Sequence, residues 1–341
     1  YVANDHGPDR MHHNRSTPGH IEFALVEGVR HALVPKSKRV GHDSFKGMGV
    51  EFGDLNGDGI YDMFISDITT SFGIEESHLA YVSTARDKAD LRAQLLDGVA
   101  PWEDRSTDLG LNWTGWGWDA KMADFDNSGD LELAQATGFV KGEVNRWPQL
   151  QELATANDVL VQYPGLWPHM REGDDVAGSQ TFAFFAKDDN GRYVNIAGLL
   201  GLAVPIPTRG IATGDADGDG RLDFAVARQW DAPVFYRNVS PSAGSFLGLR
   251  LSHESAPGSP VIGAQVTVAT PDGRSFVSKV DGGSGHSGKR SHEVHIGLGD
   301  VAGPVTARLS WRDRTGQVRE QELQLTTGWH SLQLGSKATE R

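Results

Sequence analysis

The feature that most constrains this sequence is an acidic segment of nine residues that occurs three times. The copies read DLNGDGIYD, DFDNSGDLE and DADGDGRLD, and they span Asp54–Asp62, Asp124–Glu132 and Asp215–Asp223. Each copy has a glycine at position 6, where the chain must turn sharply, and most of the residues that follow are apolar. A motif repeated in this way indicates a chain built from repeated supersecondary units.

Each copy places oxygen-bearing side chains at positions 1, 3, 5 and 9 and offers a main-chain carbonyl at position 7. Crowded carboxylates repel one another unless a cation lies among them. Ca²⁺ takes about six to eight oxygen ligands at flexible distances, whereas Mg²⁺ demands stricter geometry. The pattern therefore predicts Ca²⁺ as the cofactor, and the alternative is an acidic surface turn without metal. The predicted ligands are Asp54, Asn56, Asp58, Ile60 and Asp62, then Asp124, Asp126, Ser128, Asp130 and Glu132, then Asp215, Asp217, Asp219, Arg221 and Asp223.

An EF-hand is the competing calcium motif, and it needs a bidentate glutamate at position 12 and flanking helices. Position 12 is instead Ile65, Gln135 or Val226. The segments that follow the loops, MFISD, LAQAT and FAVAR, are short and largely apolar, as expected of strands. The sequence therefore predicts calcium loops that connect β-strands.

Composition narrows the classes of function. The formal net charge of −13 argues against nucleic acid or an anionic membrane as the main partner. No apolar run reaches the roughly 18 residues that a membrane helix needs, so we expect no membrane span. Cysteine is absent, which excludes disulfides and thiolate sites. The 42 glycines are typical of a loop-rich β protein.

A strand, a DxDxDGxxD loop and a second strand together resemble the FG-GAP (or VCBS) repeat of integrin-α-like β-propellers. The region after Ser242 is similar to the ASPIC/UnbV domain in its segments FLGLRL, VIGAQVTVATPDGR, GGSGHSG and HEVHIGLGD. Such repeats and such a tail occur together in the family of cartilage acidic protein and its bacterial homologues. The resemblance covers most of the chain.

The resemblance implies an all-β protein with two domains. Residues 1–241 would form FG-GAP propeller blades with the three calcium loops and a helical insert, and residues 242–341 would form a small ASPIC/UnbV-like β-sandwich. The first residues, YVANDHGPDRMHHN, look like the part of a blade that follows a calcium loop. We therefore expect a propeller truncated at its N-terminus, with further blades supplied by an upstream region or by a partner chain.

The resemblance also implies a secreted protein, extracellular or periplasmic, whose export signal is not visible in this chain. Its function would be that of an interaction or ligand-binding module for an extracellular protein or polysaccharide. The alternative is a propeller enzyme that acts on polysaccharide or in an enediyne-type secondary-metabolite pathway. Polar residues expected in the propeller channel could supply acid–base chemistry, although water-filled channels are polar without it. These residues are Glu51, Asp119, Lys121, Arg209 and Arg228.

A long insertion, Phe139–Gly178, separates the second loop from the third and is the predicted contact region. Insertions in repeat proteins collect on one face, which is often the binding face. The insertion joins a predicted helix to a loop rich in tryptophan and proline. The alternative for its tryptophans is packing inside the protein. The candidate ligand-binding residues are Trp147, Trp167, His169 and Arg171 in the insertion, with Trp118 and Arg209 at the channel mouth.

Overall fold

Each acidic loop joins two antiparallel strands, as the sequence predicts. The computed structural model describes residues 1–43, 46–70, 76–156, 162–241 and 243–341. Over these ranges the chain is mostly β, with 42% strand and 8% helix, and its small sheets stand in a propeller-like arrangement with five blades. The predicted fold class is confirmed. Residue 242, the predicted start of the second domain, and residues 157–161 of the insertion lie outside these ranges.

The first acidic loop lies between the first two strands of a four-stranded antiparallel sheet. The strand at the loop's end is buried along its whole length, because Met63 and Ile65 pack into one apolar cluster and Phe64 packs into another on the opposite face. This burial explains the run of apolar residues after the loop. The elements of this region are β1 (Met11–Asn14), β2 (Phe23–Val26), a 3-10 turn (Lys36–Lys38), β3 (Gly49–Gly53), β4 (Asp62–Ser66), β5 (Leu79–Ser83), α1 (Lys88–Leu96), β6 (Trp102–Asp104) and α2 (Ser106–Leu109). β1 and β2 form a separate hairpin, and β3 to β6 follow one another across the sheet.

The second acidic loop begins another four-stranded sheet, which the insertion interrupts. The elements are β7 (Gly117–Ala123), β8 (Glu132–Thr137), β9 (Val144–Asn145), α3 (Trp147–Ala156), a 3-10 turn (Pro164–Leu166), β10 (Asp174–Asp175), β11 (Ala183–Lys187) and β12 (Tyr193–Asn195). The sheet has the order β7-β8-β11-β12, while β9 and β10 form a short parallel pair that closes the insertion at its base. The insertion is thus a self-contained excursion from the β8–β11 connection.

The third acidic loop joins the first two strands of a three-stranded sheet. Its strands are β13 (Thr208–Gly214), β14 (Asp223–Arg228) and β15 (Val234–Tyr236). The lead-in strand β7 packs against both β3 and β13. The three lead-in strands therefore meet near the centre, and the acidic loops at their C-terminal ends lie on one side of the molecule.

The tail forms two packed sheets around a core of its own, as expected of a small sandwich. Its strands are β16 (Ser245–His253), β17 (Ala256–Pro260), β18 (Gln265–Ala269), β19 (Ser275–Lys279), β20 (Val294–Gly299), β21 (Val305–Arg312), β22 (Val318–Leu325), β23 (Gly328–Leu334) and β24 (Ala338–Glu340). One sheet is built around β16, which pairs with β17, β20 and β23, and the other has the order β19-β18-β21-β22. Leu249, Val266 and Trp311 are among the fully buried residues between them. Among the described residues, no helix has the length and apolarity to cross a bilayer.

Candidate metal centres and the surfaces around them

The first acidic loop is wound around its first carboxylate. Asp54 accepts hydrogen bonds from the main-chain N–H groups of Gly57 (2.8 Å), Asp58 (3.1 Å) and Gly59 (2.8 Å). Gly57 and Gly59 have φ angles of +76° and +82°, a conformation that glycine adopts without strain. The turn therefore depends on the glycines and holds the first carboxylate in a fixed orientation.

The other two loops repeat this arrangement. Asp124 accepts from Ser128 (3.0 Å) and Gly129 (2.7 Å). Asp215 accepts from Gly218 (2.8 Å), Asp219 (3.1 Å) and Gly220 (2.8 Å). The hydrogen bonds from positions 5 and 6 occur in all three loops and show that the three segments are one structural motif, as their sequences predict.

The last acid of each loop is buried and anchored. Asp62 accepts the N–H of Leu55 at 2.8 Å. Glu132 accepts the N–H of Phe125 at 2.7 Å and Asp223 that of Ala216 at 2.9 Å, so each last acid binds the residue after the first aspartate. These three side chains are at most 5% exposed. The glutamate at position 9 of the second loop therefore fills the same place as aspartate in the others.

The donor set of the loops fits a hard cation. One oxygen from each of Asp124, Asp126 and Glu132 lies within 4.8 Å of the others, and the same holds for Asp215, Asp217 and Asp223. Burial raises the pKa of Asp62 and of Asp124 to about 7, and it raises the pKa of Glu132 well above its usual value. Among the described residues no basic side chain pairs with Asp62, Asp124 or Glu132, and a divalent cation would supply the positive charge beside them.

The third and first loops differ in the partners of their side chains at positions 3 and 5. Arg237 binds Asp217 at 2.6 Å, and the guanidinium of Arg221 contacts Asp219. In the first loop Asn56 stands at position 3 and donates to Asp58 at 2.9 Å. The second loop has no arginine on its ligand oxygens among the described contacts, and its Asp130 pairs with Lys187 at 2.6 Å. The main-chain carbonyls predicted as ligands at position 7 stay a prediction.

The tail contacts the acidic loops directly. The indole N–H of Trp329 donates to Asp215 at 2.9 Å. The N–H of Gly299 donates to the carbonyl of Asn127 at 2.7 Å, and Arg274 donates to the carbonyl of Ser128 at 3.3 Å. The side of the molecule that carries the loops is therefore partly covered by the tail, a contact that spacing within the loop motif could not reveal.

Three of the five predicted channel residues, Glu51, Asp119 and Lys121, form a buried ionic cluster instead of an open lining, whereas Arg228 lies beside the Tyr236 hydroxyl at 3.5 Å. Asp119 and Lys121 are fully buried, and their side chains meet at 2.8 Å, with Glu51 at 3.6 Å from the ammonium. A glycine-rich segment of the tail, residues 281–290, occupies this place: the N–H groups of His286 (2.7 Å) and Gly288 (2.9 Å) donate to Asp119. The tail thus fills the centre between the lead-in strands.

Arg209 and Trp118, predicted at the channel mouth, pack against each other. The guanidinium carbon of Arg209 lies 4.4 Å from the Trp118 ring centroid, and one of its nitrogens donates to the carbonyl of Gly138 at 2.6 Å. Burial lowers the pKa of Arg209 to about 10. The His286 ring lies 5.3 Å from that of Trp118. Both residues are therefore engaged within the chain, and ligand binding by them stays a prediction.

The insertion presents its four candidate residues in different settings. Trp147 begins α3 and is half-buried, as is Trp167, whereas His169 and Arg171 are exposed. The side chain of Asn145 accepts the N–H of Trp147 at the start of the helix at 2.9 Å. A role of the four candidate residues in ligand binding stays a prediction.

A cleft of about 410 Å³ lies where the first and second acidic loops face the tail. Its walls include Phe52 and Tyr61 from the first blade and Lys279 and Arg290 from the tail. Sequence reasoning missed this cleft. The two walls are more than 200 residues apart in the chain, so no local motif could have signalled it.

Comparison with known proteins identifies the tail. Residues 254–341 match the family described as ASPIC and UnbV, which confirms that resemblance for this part of the chain. No curated protein matches the chain. Solved structures similar to it include one described as a sugar-binding protein, pneumolysin, with 9% identity, 86% of this chain and 59% of that chain covered, and a TM-score of 0.16. Another is a tetra-tandem repeat from the extending region of a large adhesion protein, with 12% identity, 82% of this chain and 66% of that chain covered, and a TM-score of 0.13. The chain thus spans less than two thirds of either protein, and at these TM-scores the likeness carries no argument.

Proposed function

We propose that this protein is a secreted, calcium-stabilised propeller of FG-GAP (VCBS) repeats, related to the cartilage acidic protein family, that acts as an extracellular interaction or ligand-binding module. The observation that supports it most is the shared structure of the three acidic loops. Each loop orients its first carboxylate with main-chain N–H groups and buries its last. A turn on a protein surface needs no buried carboxylate, and a buried carboxylate without a cation costs free energy.

The loops would hold Ca²⁺ through the oxygens at positions 1, 3, 5 and 9, and the ion would supply the positive charge that these buried groups lack. A ligand at 100 times its Kd adds about 2.7 kcal/mol to the free energy of unfolding for each site. The loops lie where the blades and the tail meet. Calcium would therefore stabilise the surface that presents the binding regions and would not take part in a reaction.

The test is thermal melting in millimolar Ca²⁺ and in EDTA, with Mg²⁺ as the comparison ion. We expect a higher midpoint in Ca²⁺. Asp215→Ala, which removes a charged first ligand, should lose more of this shift than Ser128→Ala, which removes a neutral one. Asp189→Ala, at an exposed turn, is the matched control and should keep the full shift. An identical midpoint in Ca²⁺ and EDTA would show that the loops are plain acidic turns.

The interaction role has a separate test in the insertion. Because Val140 and Val176 pair across the base of the insertion, residues 141–175 can be replaced by a short Gly/Ser linker without separating the flanking strands. Aromatic and arginine side chains are frequent anchors of interfaces, so the parent should bind a component of an extracellular protein and polysaccharide panel that the deletion variant does not. A variant that melts like the parent and keeps every interaction would place the function elsewhere.

The enzyme alternative receives no support from the central cluster. A paired acid and base would have to reach a substrate, yet Lys121 and Asp119 have no exposed surface and the tail segment covers them. The cluster therefore acts as a structural contact in this arrangement of the chain, and we propose no reaction for it.

A further inference from the structure

The cleft between the first two acidic loops and the tail carries an unusual balance of hydrogen-bonding groups. Two of the acids that line it are engaged within the protein: Glu51 contacts Arg290 and lies 3.6 Å from the Lys121 ammonium, and Asp281 accepts from the Ser284 hydroxyl at 2.5 Å and from the N–H of Gly283 at 3.0 Å. Its donors are not all engaged. The cleft therefore has hydrogen-bond donors to offer beside these two acids.

Lys279 is the first of these donors. Its ammonium lies 4.7 Å from the ring centroid of Phe52 and 5.3 Å from that of Tyr61, so two aromatic rings hold it in place. Across the part of the chain that the structure describes, the ammonium forms no ion pair or hydrogen bond. Asp281 interacts with this charge only beyond ion-pair distance, so the positioned cation can still pair with an anion.

Tyr61 and Arg290 supply two more donors. The Tyr61 hydroxyl and the Arg290 Nε atom are buried, and neither has a hydrogen-bond partner among the described residues. Arg290 Nε lies 3.6 Å from the nearest Asp281 oxygen, which is longer than a hydrogen bond. A buried donor left without a partner is destabilising, so a ligand acceptor at this position would remove that penalty.

We propose that this cleft binds the carboxylate of a uronic acid unit in an acidic polysaccharide. Lys279 would pair with the carboxylate, and Tyr61 and Arg290 would donate to its oxygens or to neighbouring hydroxyls. The volume suits a sugar ring, since small-molecule sites span about 300–1,000 Å³. The apolar faces of Phe52 and Phe276 line the same cleft and would cover the ring.

The inference rests on the proposed function in one respect. Asp54 and Asp124 line the cleft as well, and without a cation their charges would repel a carboxylate. Calcium in the first two loops would neutralise them. Uronate binding is therefore expected to depend on Ca²⁺, while calcium binding is not expected to depend on uronate.

The experiment is calorimetric titration of the full chain in millimolar Ca²⁺ with a galacturonic acid trisaccharide. The neutral galactose trisaccharide and an acidic peptide of similar charge serve as comparisons. We expect binding of the uronate only. Lys279→Met keeps the aliphatic packing and removes the charge, so it should weaken binding about tenfold or more, and Tyr61→Phe should weaken it by a few-fold. Lys289→Met, in the glycine-rich segment 281–290 but exposed and outside the cleft, should bind like the parent.

The outcomes separate this proposal from the proposed function. If Ca²⁺ raises the melting midpoint and the uronate does not bind, or binds equally to Lys279→Met, the cleft proposal is overturned and the calcium proposal stands. Binding of the acidic peptide alone overturns it too. If the uronate binds and both substitutions weaken it while Ca²⁺ leaves the midpoint unchanged, the cleft stands and the calcium proposal fails. Melting curves of both variants show whether they are folded.

Discussion

Asp119→Asn should destabilise the protein strongly, although it changes a single atom. The carboxylate of Asp119 accepts four hydrogen bonds: from Lys121 (2.8 Å) and the N–H of His286 (2.7 Å) on one oxygen, and from the N–H groups of Ile211 (2.8 Å) and Gly288 (2.9 Å) on the other. These donors belong to β7, β13 and the tail. Asp119 therefore joins two lead-in strands to the segment that fills the space between them.

The size of the effect follows from these contacts. An asparagine has one oxygen, so its NH₂ group would face two donors whichever way the amide is oriented. Each buried N–H left without an acceptor costs about 1–3 kcal/mol, and breaking a buried ion pair costs about 3–5 kcal/mol. Because these terms overlap, we expect the free energy of unfolding to fall by about 3–5 kcal/mol in total.

Urea unfolding at constant Ca²⁺, followed by tryptophan fluorescence, measures this difference. Asp189→Asn removes the same charge at an exposed turn and should change the free energy of unfolding by no more than about 0.5 kcal/mol. A loss of less than about 1 kcal/mol in Asp119→Asn, with an unchanged urea slope, would refute the view that the tail is anchored at this carboxylate.

Three further predictions concern the same assembly. Gly288→Ala should destabilise it, because a Cβ atom there would lie 1.9 Å from a main-chain oxygen, whereas Gly198→Ala meets no atom within 4 Å and serves as the control in the same urea assay. Burial beside Asp43 raises the pKa of Asp9 to about 7, so between about pH 4 and 7 the folded chain holds a proton that the unfolded chain has released, and stability falls as pH rises. Asp43→Asn should flatten this fall in urea unfolding at pH 5 and 8, and a slope equal to that of the parent would contradict it. The segment 243–341 contains its own core and should fold alone without calcium, giving a cooperative melt and a dispersed NMR spectrum.

The acidic loops were predictable because their structure is local. The first carboxylate is bound by N–H groups three to five residues further along, and the glycine at position 6 allows the turn. The last acid binds the residue that follows the first. Every one of these contacts lies within nine residues. The spacing of residue types was therefore enough to predict the loop and its flanking strands and to exclude an EF-hand.

The lead-in strands were less predictable. The alternation in β3 suggests that Val50 and Phe52 form its buried face, yet Glu51 is only 1% exposed and the other two are half-buried. A glutamate is normally exposed unless it is paired. Its partners, Lys121 and Arg290, lie on another blade and in the tail, so no pattern within β3 could show that its polar face is the buried one.

The relation of the tail to the loops could not be predicted from either motif alone, and it changes how the loops should be understood. An isolated calcium loop would only fasten its own two strands. Here Trp329 binds Asp215, a proposed ligand, and the tail also contacts the carbonyls of Asn127 and Ser128 in the second loop. The proposed ions would therefore act on groups that hold the tail in place. The cleft shares a wall with the same loops, so the order of the loops, the position of the tail and the shape of the cleft are physically linked.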